Sequence, residues 1–254
     1  MERSLEGKVV LVTGAGVRVG RAIALGLGRA GATVAAHFHS SQEGVDALLQ
    51  ELRVDGNTAQ KFRADLAQPS ESARLVEEVE RTLGPIDVLV NSAALFERHD
   101  FVDTPLESLE RQWAVNARAP YLLTQAAAKG MLARGRGDVV NVVDIGGVFA
   151  SWAHYTAYCM TKAALGSLTK GLALELAPSV RVNAVAPGTV QPPETMDAQT
   201  LETLRSRIPQ ARFGTPDDIM ETVRFLLTGP SFITGQIIAV DGGRSLGTRS
   251  LGGL

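Results

Sequence analysis

The sequence predicts an α/β fold built on a doubly wound, seven-stranded parallel sheet flanked by helices. Three observations predict it. Short β-branched runs alternate with longer stretches of helical periodicity along the whole chain, and that alternation marks strand–helix–strand crossovers. Several short runs are apolar at every position, as in Val9-Val10-Leu11-Val12 and Val88-Leu89-Val90. A strand covered by helices on both faces has this pattern, whereas a half-exposed strand alternates. No linker or shift of composition interrupts the series, so residues 1–254 are expected to form one domain.

The elements follow in order. Strands are expected at 8–13, 33–38, 58–64, 86–91, 138–143, 180–186 and 236–240. Helices are expected at 18–30, 42–55, 69–83, 105–134, 155–177 and 216–227. The fourth helix should break near Pro120, which lacks a backbone donor. Gly31 suits the end of the first helix. Thr104-Pro105-Leu106-Glu107 and Thr215-Pro216-Asp217-Asp218 each offer a capping hydroxyl, a proline at the first helical position and an acid at the third. The least regular stretch is 187–210, with Pro192-Pro193. A long segment after a strand's carboxyl end reads as a substrate lid.

Composition excludes several classes. Among 254 residues, 45% are hydrophobic and 20% charged, ordinary for a globule that needs neither disulfide nor metal. The 26 glycines exceed the average share of about 7%. They show no short repeat, which excludes collagen and low-complexity disorder. Aromatic residues are 5%, too few for base-stacking platforms. A net charge of −2 offers no field for nucleic acid or an anionic membrane. The single cysteine, Cys159, cannot close an internal disulfide. Neither a signal-peptide core nor an apolar run of about 18 residues is visible, so a cytoplasmic, soluble protein is expected.

The glycine excess has a local meaning at Thr13-Gly14-Ala15-Gly16-Val17-Arg18-Val19-Gly20, between the first strand and the first helix. A helix N-terminus offers free N–H groups and the positive end of a dipole, and glycines let the backbone approach a pyrophosphate. Dinucleotide binding is the expected role. The spacing is T-G-x-x-x-R-x-G rather than G-x-G-x-x-G.

This turn resembles that of the short-chain dehydrogenase/reductases, whose usual form is T-G-x-x-x-G-x-G. The resemblance extends over nearly the whole chain. Asp65-Leu66 is similar to the family's adenine contact. Asn91-Ser92-Ala93-Ala94 looks like its N-N-A-G, changed at two places. Asn116 matches its helix asparagine, and Tyr158-Cys159-Met160-Thr161-Lys162 is its Y-x-x-x-K. Pro187-Gly188-Thr189 follows the sixth strand, and Val240-Asp241-Gly242-Gly243 closes the sheet. The resemblance implies a Rossmann fold, with Gly14, Arg18, Val19, Asp65, Leu66, Asn91, Ser92, Ala93, Tyr158, Lys162, Pro187, Gly188 and Thr189 along the cofactor. It also implies a homotetramer, with 244–254 near subunit contacts.

NAD sites place an acid at the end of the second strand to hold the ribose 2′-hydroxyl. Here the chain reads Ala35-Ala36-His37-Phe38-His39-Ser40-Ser41, without an acid. A 2′-phosphate needs cations and hydroxyls, which Arg18, His37, His39, Ser40 and Ser41 supply. NADPH is therefore expected over NADH. The competing bland reading packs His37 in the strand and leaves His39 in solvent.

Tyr158 and Lys162 are four apart on an expected helix and share a face. An ammonium beside a phenol lowers its pKa and fits it to donate a proton as hydride arrives. The resemblance implies that Lys162 also binds the nicotinamide ribose and that Asn116 positions it through water. The family's serine about 13 residues before the tyrosine is missing. Asp144 stands there, at an interval of 14, and Ser151 is too near the tyrosine. An ionised aspartate accepts hydrogen bonds and repels a developing alkoxide, so Asp144 suits a substrate bearing N–H groups or a protonatable ring nitrogen. As a bland alternative, it caps a turn.

Arg18, the His-x-His-Ser turn and Asp144 together look like the pteridine reductases within this family. Phe96, just past the N-N-A-x segment, matches the phenylalanine that stacks a pterin there; its bland role is core packing. The implied reaction is NADPH-dependent reduction of a C=N bond in a dihydropterin or dihydrofolate, with Phe96, Arg18, Asp144 and Tyr158 holding substrate. Two alternatives stand beside it. One is a carbonyl reductase, such as a 3-oxoacyl thioester reductase. The other is an NADPH-binding protein without turnover, which the intact Tyr158, Lys162 and Asn116 oppose.

Overall fold

The computed structural model describes residues 4–192 and 196–247. Seven strands, β1 (Val9–Val12), β2 (Thr33–Phe38), β3 (Ala59–Arg63), β4 (Ile86–Asn91), β5 (Gly137–Val142), β6 (Val180–Pro187) and β7 (Ile237–Val240), form one sheet in the order β3-β2-β1-β4-β5-β6-β7. Every pairing is parallel.

Strand periodicity sorts the side chains into two cores. Val10 and Val12 of β1 belong to the first, with Ile23 and Leu27 of α1 (Arg18–Arg29), Leu48 and Leu52 of α2 (Gln42–Val54) and Val223 and Leu226 of α9 (Pro216–Thr228). Val9 and Leu11 belong to the second, with Leu75 and Val79 of α3 (Pro69–Leu83), Leu123 and Met131 of α5 (Ala119–Ala133) and Ala173 of α7 (Thr156–Glu175). Burying each leucine contributes about 1.5–3 kcal/mol. This two-sided burial is why β1 and β4 are apolar at successive positions.

The helix expected at 105–134 is interrupted. It comprises α4 (Leu106–Trp113), a π-helical turn at Ala114–Arg118, and α5 with Pro120 in its first turn. Pro120 has no N–H for the Asn116 carbonyl, so the wider turn falls on Asn116. The cap at Thr104 is not made. Pro105 is the N-cap residue, and the Thr104 hydroxyl donates to the Asp100 carbonyl at 3.0 Å, closing the preceding 3-10 turn instead. The Thr215–Asp218 capping box forms in both directions. Gly31, at φ +94°, ends α1.

The irregular stretch at 187–210 contains a helix, α8 (Ala198–Ser206), whose first turn is capped by Asp197 accepting from the Thr200 N–H at 2.8 Å. No helix among the described residues is long and apolar enough to cross a membrane, and none of their acidic, histidine or cysteine side chains group as metal ligands. The strand order reverses between β1 and β4, and in open parallel sheets the crevice for a ligand lies outside the carboxyl ends of the strands at such a point.

Candidate active site

The glycine turn is built by close approach. A Cβ on Gly14 would stand 2.9 Å from the Ala93 Cα, and one on Gly20 would stand 2.2 Å from the Gly14 carbonyl oxygen. A Cβ on Gly44 would meet the Gly16 carbonyl oxygen at 2.1 Å, so α2 also needs a glycine where it crosses the turn. The Thr13 hydroxyl accepts from the Ser92 and Ala93 N–H groups at 2.9 and 3.0 Å, pinning the end of β4 to the same place. No side chain caps the start of α1, and its first turn holds no acid. The positive end of this helix therefore remains available to an anion. A dinucleotide pyrophosphate fits this turn, with Val19 in the first helical turn and its side chain packed on the first core.

Two expected phosphate ligands are placed otherwise. His37 is buried in β2. Its Nδ1 accepts from the Gly14 N–H at 3.2 Å, and its Nε2 lies 3.1 Å from the Ala64 carbonyl. Burial pushes its pKa down to about 4. It is a neutral brace of the glycine turn and not a cation for a 2′-phosphate. Arg18, at φ +49°, donates to the Val190 and Gln191 carbonyls at 3.2 and 2.5 Å. It reaches the segment after β6 and not the turn after β2. His39 and Ser40 are exposed there, and the Ser41 hydroxyl packs where a Gly16 side chain would be. Arg63, overlooked in the sequence, stands beside them, donating to the His39 carbonyl at 3.3 Å.

Other expected contacts are held in place by their own bonds. Asp65 accepts from the Ala67 N–H at 3.0 Å, while Arg118 of the π turn holds the Ala67 carbonyl at 2.5 Å; Leu66 is buried between them in sequence. The Asn91 side chain donates to Asn141 at 2.9 Å, and Asn141 donates to Thr169 of α7 at 2.9 Å. Asn91 thus ties β4 to β5, leaving its backbone and Ser92–Ala93 at the crevice. Gly188 allows the chain to pass Asp241, whose Cα a Cβ would meet at 2.7 Å.

The side chains expected to be catalytic converge. Tyr158 and Lys162 lie on α7, and the Tyr158 hydroxyl donates to Asp144 Oδ2 at 3.1 Å. Asp144 Oδ1 accepts from the Gly146 N–H at 2.6 Å and from Trp152 Nε1 at 3.2 Å. Asp144 therefore caps the short α6 (Ile145–Val148) and faces the tyrosine as well. Gly146 makes room for the indole, since a Cβ would lie 2.0 Å from Trp152 Nε1. Lys162 is buried and donates to the Val142 carbonyl at 2.8 Å. Asn116 clamps the Leu95 backbone through both amide atoms at 2.7 and 2.8 Å and donates to Thr161 at 3.1 Å. It thereby fixes the segment that carries Phe96.

The protonation pattern differs from the expectation of an acidified phenol. Burial, followed by Asp144, raises the Tyr158 pKa well above 10. The ammonium of Lys162 stands 5.7 Å from the ring centroid and does not reverse this. Burial also raises Asp144 from its ordinary value and lowers Lys162 to about 8. The site holds its proton on the tyrosine, hydrogen-bonded to Asp144.

Phe96 is not a core residue. It is 57% exposed, stacked on Tyr155 at 4.3 Å and edge-on to Tyr158 at 4.6 Å. Trp152 and Arg244 were not singled out by the sequence. The Arg244 guanidinium lies 4.3 Å from the Trp152 ring centroid and donates to the Thr189 hydroxyl.

Comparison with known proteins gives a consistent picture. A family model described as enoyl-(acyl carrier protein) reductase matches residues 14–245. The chain is 33% identical to an L-rhamnose 1-dehydrogenase (NAD(P)(+)) of Sphingomonas sp., with 94% of this chain and 96% of that protein covered. It is 35% identical to the 3-oxoacyl-[acyl-carrier-protein] reductase FabG of Thermotoga maritima, covering 94% and 98%. Among solved structures, a blue fluorescent protein from a metagenomic library in complex with NADPH superimposes with a TM-score of 0.88 at 34% identity, covering 95% and 99%.

Proposed function

The chain belongs to the short-chain dehydrogenase/reductase family, and on that premise we propose that it is an NADPH-dependent reductase of a C=N bond in a dihydropterin-like ring. The bond from Tyr158 to Asp144 carries this reading. A family member acting on ketones needs a second donor at the substrate oxygen, and a carboxylate is an acceptor. A ring bearing N–H groups matches that acceptor. The exposed Phe96 supports the reading by offering a flat surface at the same mouth.

The residues present fit the cofactor: an uncapped helix start, a turn of closely packed glycines, and a buried ammonium at Lys162. NADPH, when bound, supplies hydride to the substrate carbon. Tyr158 holds the proton that the ring nitrogen must receive, and Asp144 orients that hydroxyl and accepts from the substrate N–H. Lys162 keeps positive charge beneath the pair, and Asn116 holds both Leu95–Phe96 and the Lys162 turn. His39, Ser40, Ser41 and Arg63 form the turn that favours a 2′-phosphate.

The relatives favour a second reading, reduction of a carbonyl. FabG of Thermotoga maritima is by name a 3-oxoacyl reductase, and Tyr158 holds a proton for a carbonyl oxygen as well as for a ring nitrogen. NADPH oxidation with dihydrobiopterin, dihydrofolate and acetoacetyl-CoA distinguishes the two. Turnover of a pterin supports the first reading; turnover of the thioester alone overturns it in favour of the second. The same assay with NADH tests the cofactor preference.

A further inference from the structure

Arg244 follows β7 and lies against the indole that supports Asp144. Its guanidinium lies over the Trp152 ring, 4.3 Å from the centroid, and the Trp152 Nε1 donates to the Asp144 carboxylate that also accepts from Tyr158. Arg244, Trp152, Asp144 and Tyr158 therefore form a continuous line from the segment after β7 to the reacting centre.

Arg244 is half-buried, and among the described residues its guanidinium bonds to the Thr189 hydroxyl and not to a carboxylate. Both neighbouring acids are occupied elsewhere. Asp241 accepts from the Gly243 N–H at 2.9 Å and the Ser245 N–H at 2.7 Å, closing its own turn. Asp144 accepts from Gly146, Trp152 and Tyr158. A guanidinium has five N–H donors in a planar fork, and the hydrogen bond found here uses one, to Thr189. Arg207, just past α8, adds a second positive charge within electrostatic reach. Asp144 and Asp241 act on Arg244 from a distance, but neither bonds to it, so a half-desolvated guanidinium keeps donors that a bound anion would satisfy. Packing against an indole leaves the edge of the fork free for that anion.

We propose that Arg244, braced on Trp152 and Thr189, is a specificity residue that pairs with a carboxylate carried on the substrate away from the bond being reduced. This rests on the reading that Asp144 and Tyr158 mark the reacting centre. It narrows the substrate to acids: within the pterin class, a folate-like molecule with a carboxylate tail rather than a neutral pterin. Within the carbonyl class, it points to an oxo acid rather than its ester.

The test uses matched pairs. Full-length protein and the variants Arg244→Met and Arg244→Lys are assayed with NADPH against dihydrofolate and dihydrobiopterin, and against acetoacetate and methyl acetoacetate. Loss of a charge-assisted contact should raise KM for the acid about 10- to 100-fold in Arg244→Met. The neutral partner should change less than about twofold, and Arg244→Lys should fall between. Equal changes for acid and neutral partner overturn the proposal and leave the catalytic reading standing. If no pair is reduced, the catalytic reading fails. The anion site is then judged by tryptophan fluorescence as the NADPH-loaded protein is titrated with the same two pterins. A preference for dihydrofolate that vanishes in Arg244→Met supports the site, and no preference in the unmodified protein overturns it.

Discussion

At the scale of single residues, the site is a set of protons held in unusual places. Tyr158 is a neutral donor to Asp144, and in the reaction we propose its hydroxyl supplies the proton the product needs. Tyr158→Phe should lower kcat by about 10²–10⁴ while NADPH still binds, measured by NADPH oxidation and by cofactor titration. Asp144→Ser replaces an acceptor with a donor. It should weaken pterin reduction and raise ketone reduction, and a fall in both would argue against a substrate-facing role. Lys162 is charged below about 8 and neutral above it. The rate constant kcat/KM should therefore decline as pH rises through about 8, because the positive charge beneath Tyr158 and Asp144 is lost. Its stability effect has the opposite sign. The unfolded chain binds this proton up to about 10.4, so the cost of burying the ammonium fades as pH rises from about 8.

At the scale of elements, the nucleotide turn depends on neighbours outside it. Gly44 belongs to α2, yet a Cβ there would meet the Gly16 carbonyl oxygen. Gly44→Ala should displace the glycine turn, cost about 1–3 kcal/mol of stability, and weaken NADPH binding as read by titration. His37 ties β2 to the same turn. Its folded pKa of about 4 lies below the ordinary value of 6.5, so the unfolded chain takes up the proton first. This contribution is intact above pH 6.5 and is lost as pH falls toward 4, amounting to about 3 kcal/mol by linkage. Chemical denaturation at successive pH values should show the loss, and His37→Gln should flatten that part of the profile.

At the scale of the whole molecule, apolar side chains remain on the outside. Trp113 and Met160 line one depression between α4 and α7, and Phe232 and Leu246 are exposed near β7. The family resemblance implies a homotetramer, and we propose these surfaces as its contacts. Sedimentation velocity should give four protomers, and Trp113→Glu should shift the distribution to smaller species. Residues 248–254 lie outside the described structure, so the expected contribution of the tail to a neighbouring site is tested by truncation. Deleting them should weaken substrate binding more than NADPH binding.

The sequence by itself determined what local rules govern. Apolar strands, a glycine turn before a helix, a capping box at Thr215 and a four-residue spacing from Tyr158 to Lys162 depend on neighbours along the chain, and the fold formed around them. Helix α8 lies in the stretch read as irregular, and the Asp197 cap that starts it was not recognised beside Pro192-Pro193. Tertiary structure decided the directions and the charges. His37 turns inward because the Gly14 N–H and the Ala64 carbonyl meet its two nitrogens. Arg18 turns to the carbonyls after β6. Tyr158 keeps its proton because packing strips it of water beside Asp144. Trp152 and Arg244 carry no signature of their own; they join the site because the ends of β5 and β7 bring them together. Desolvation and pairing between distant segments are properties of the packed molecule, and they fix how a recognisable set of residues can act.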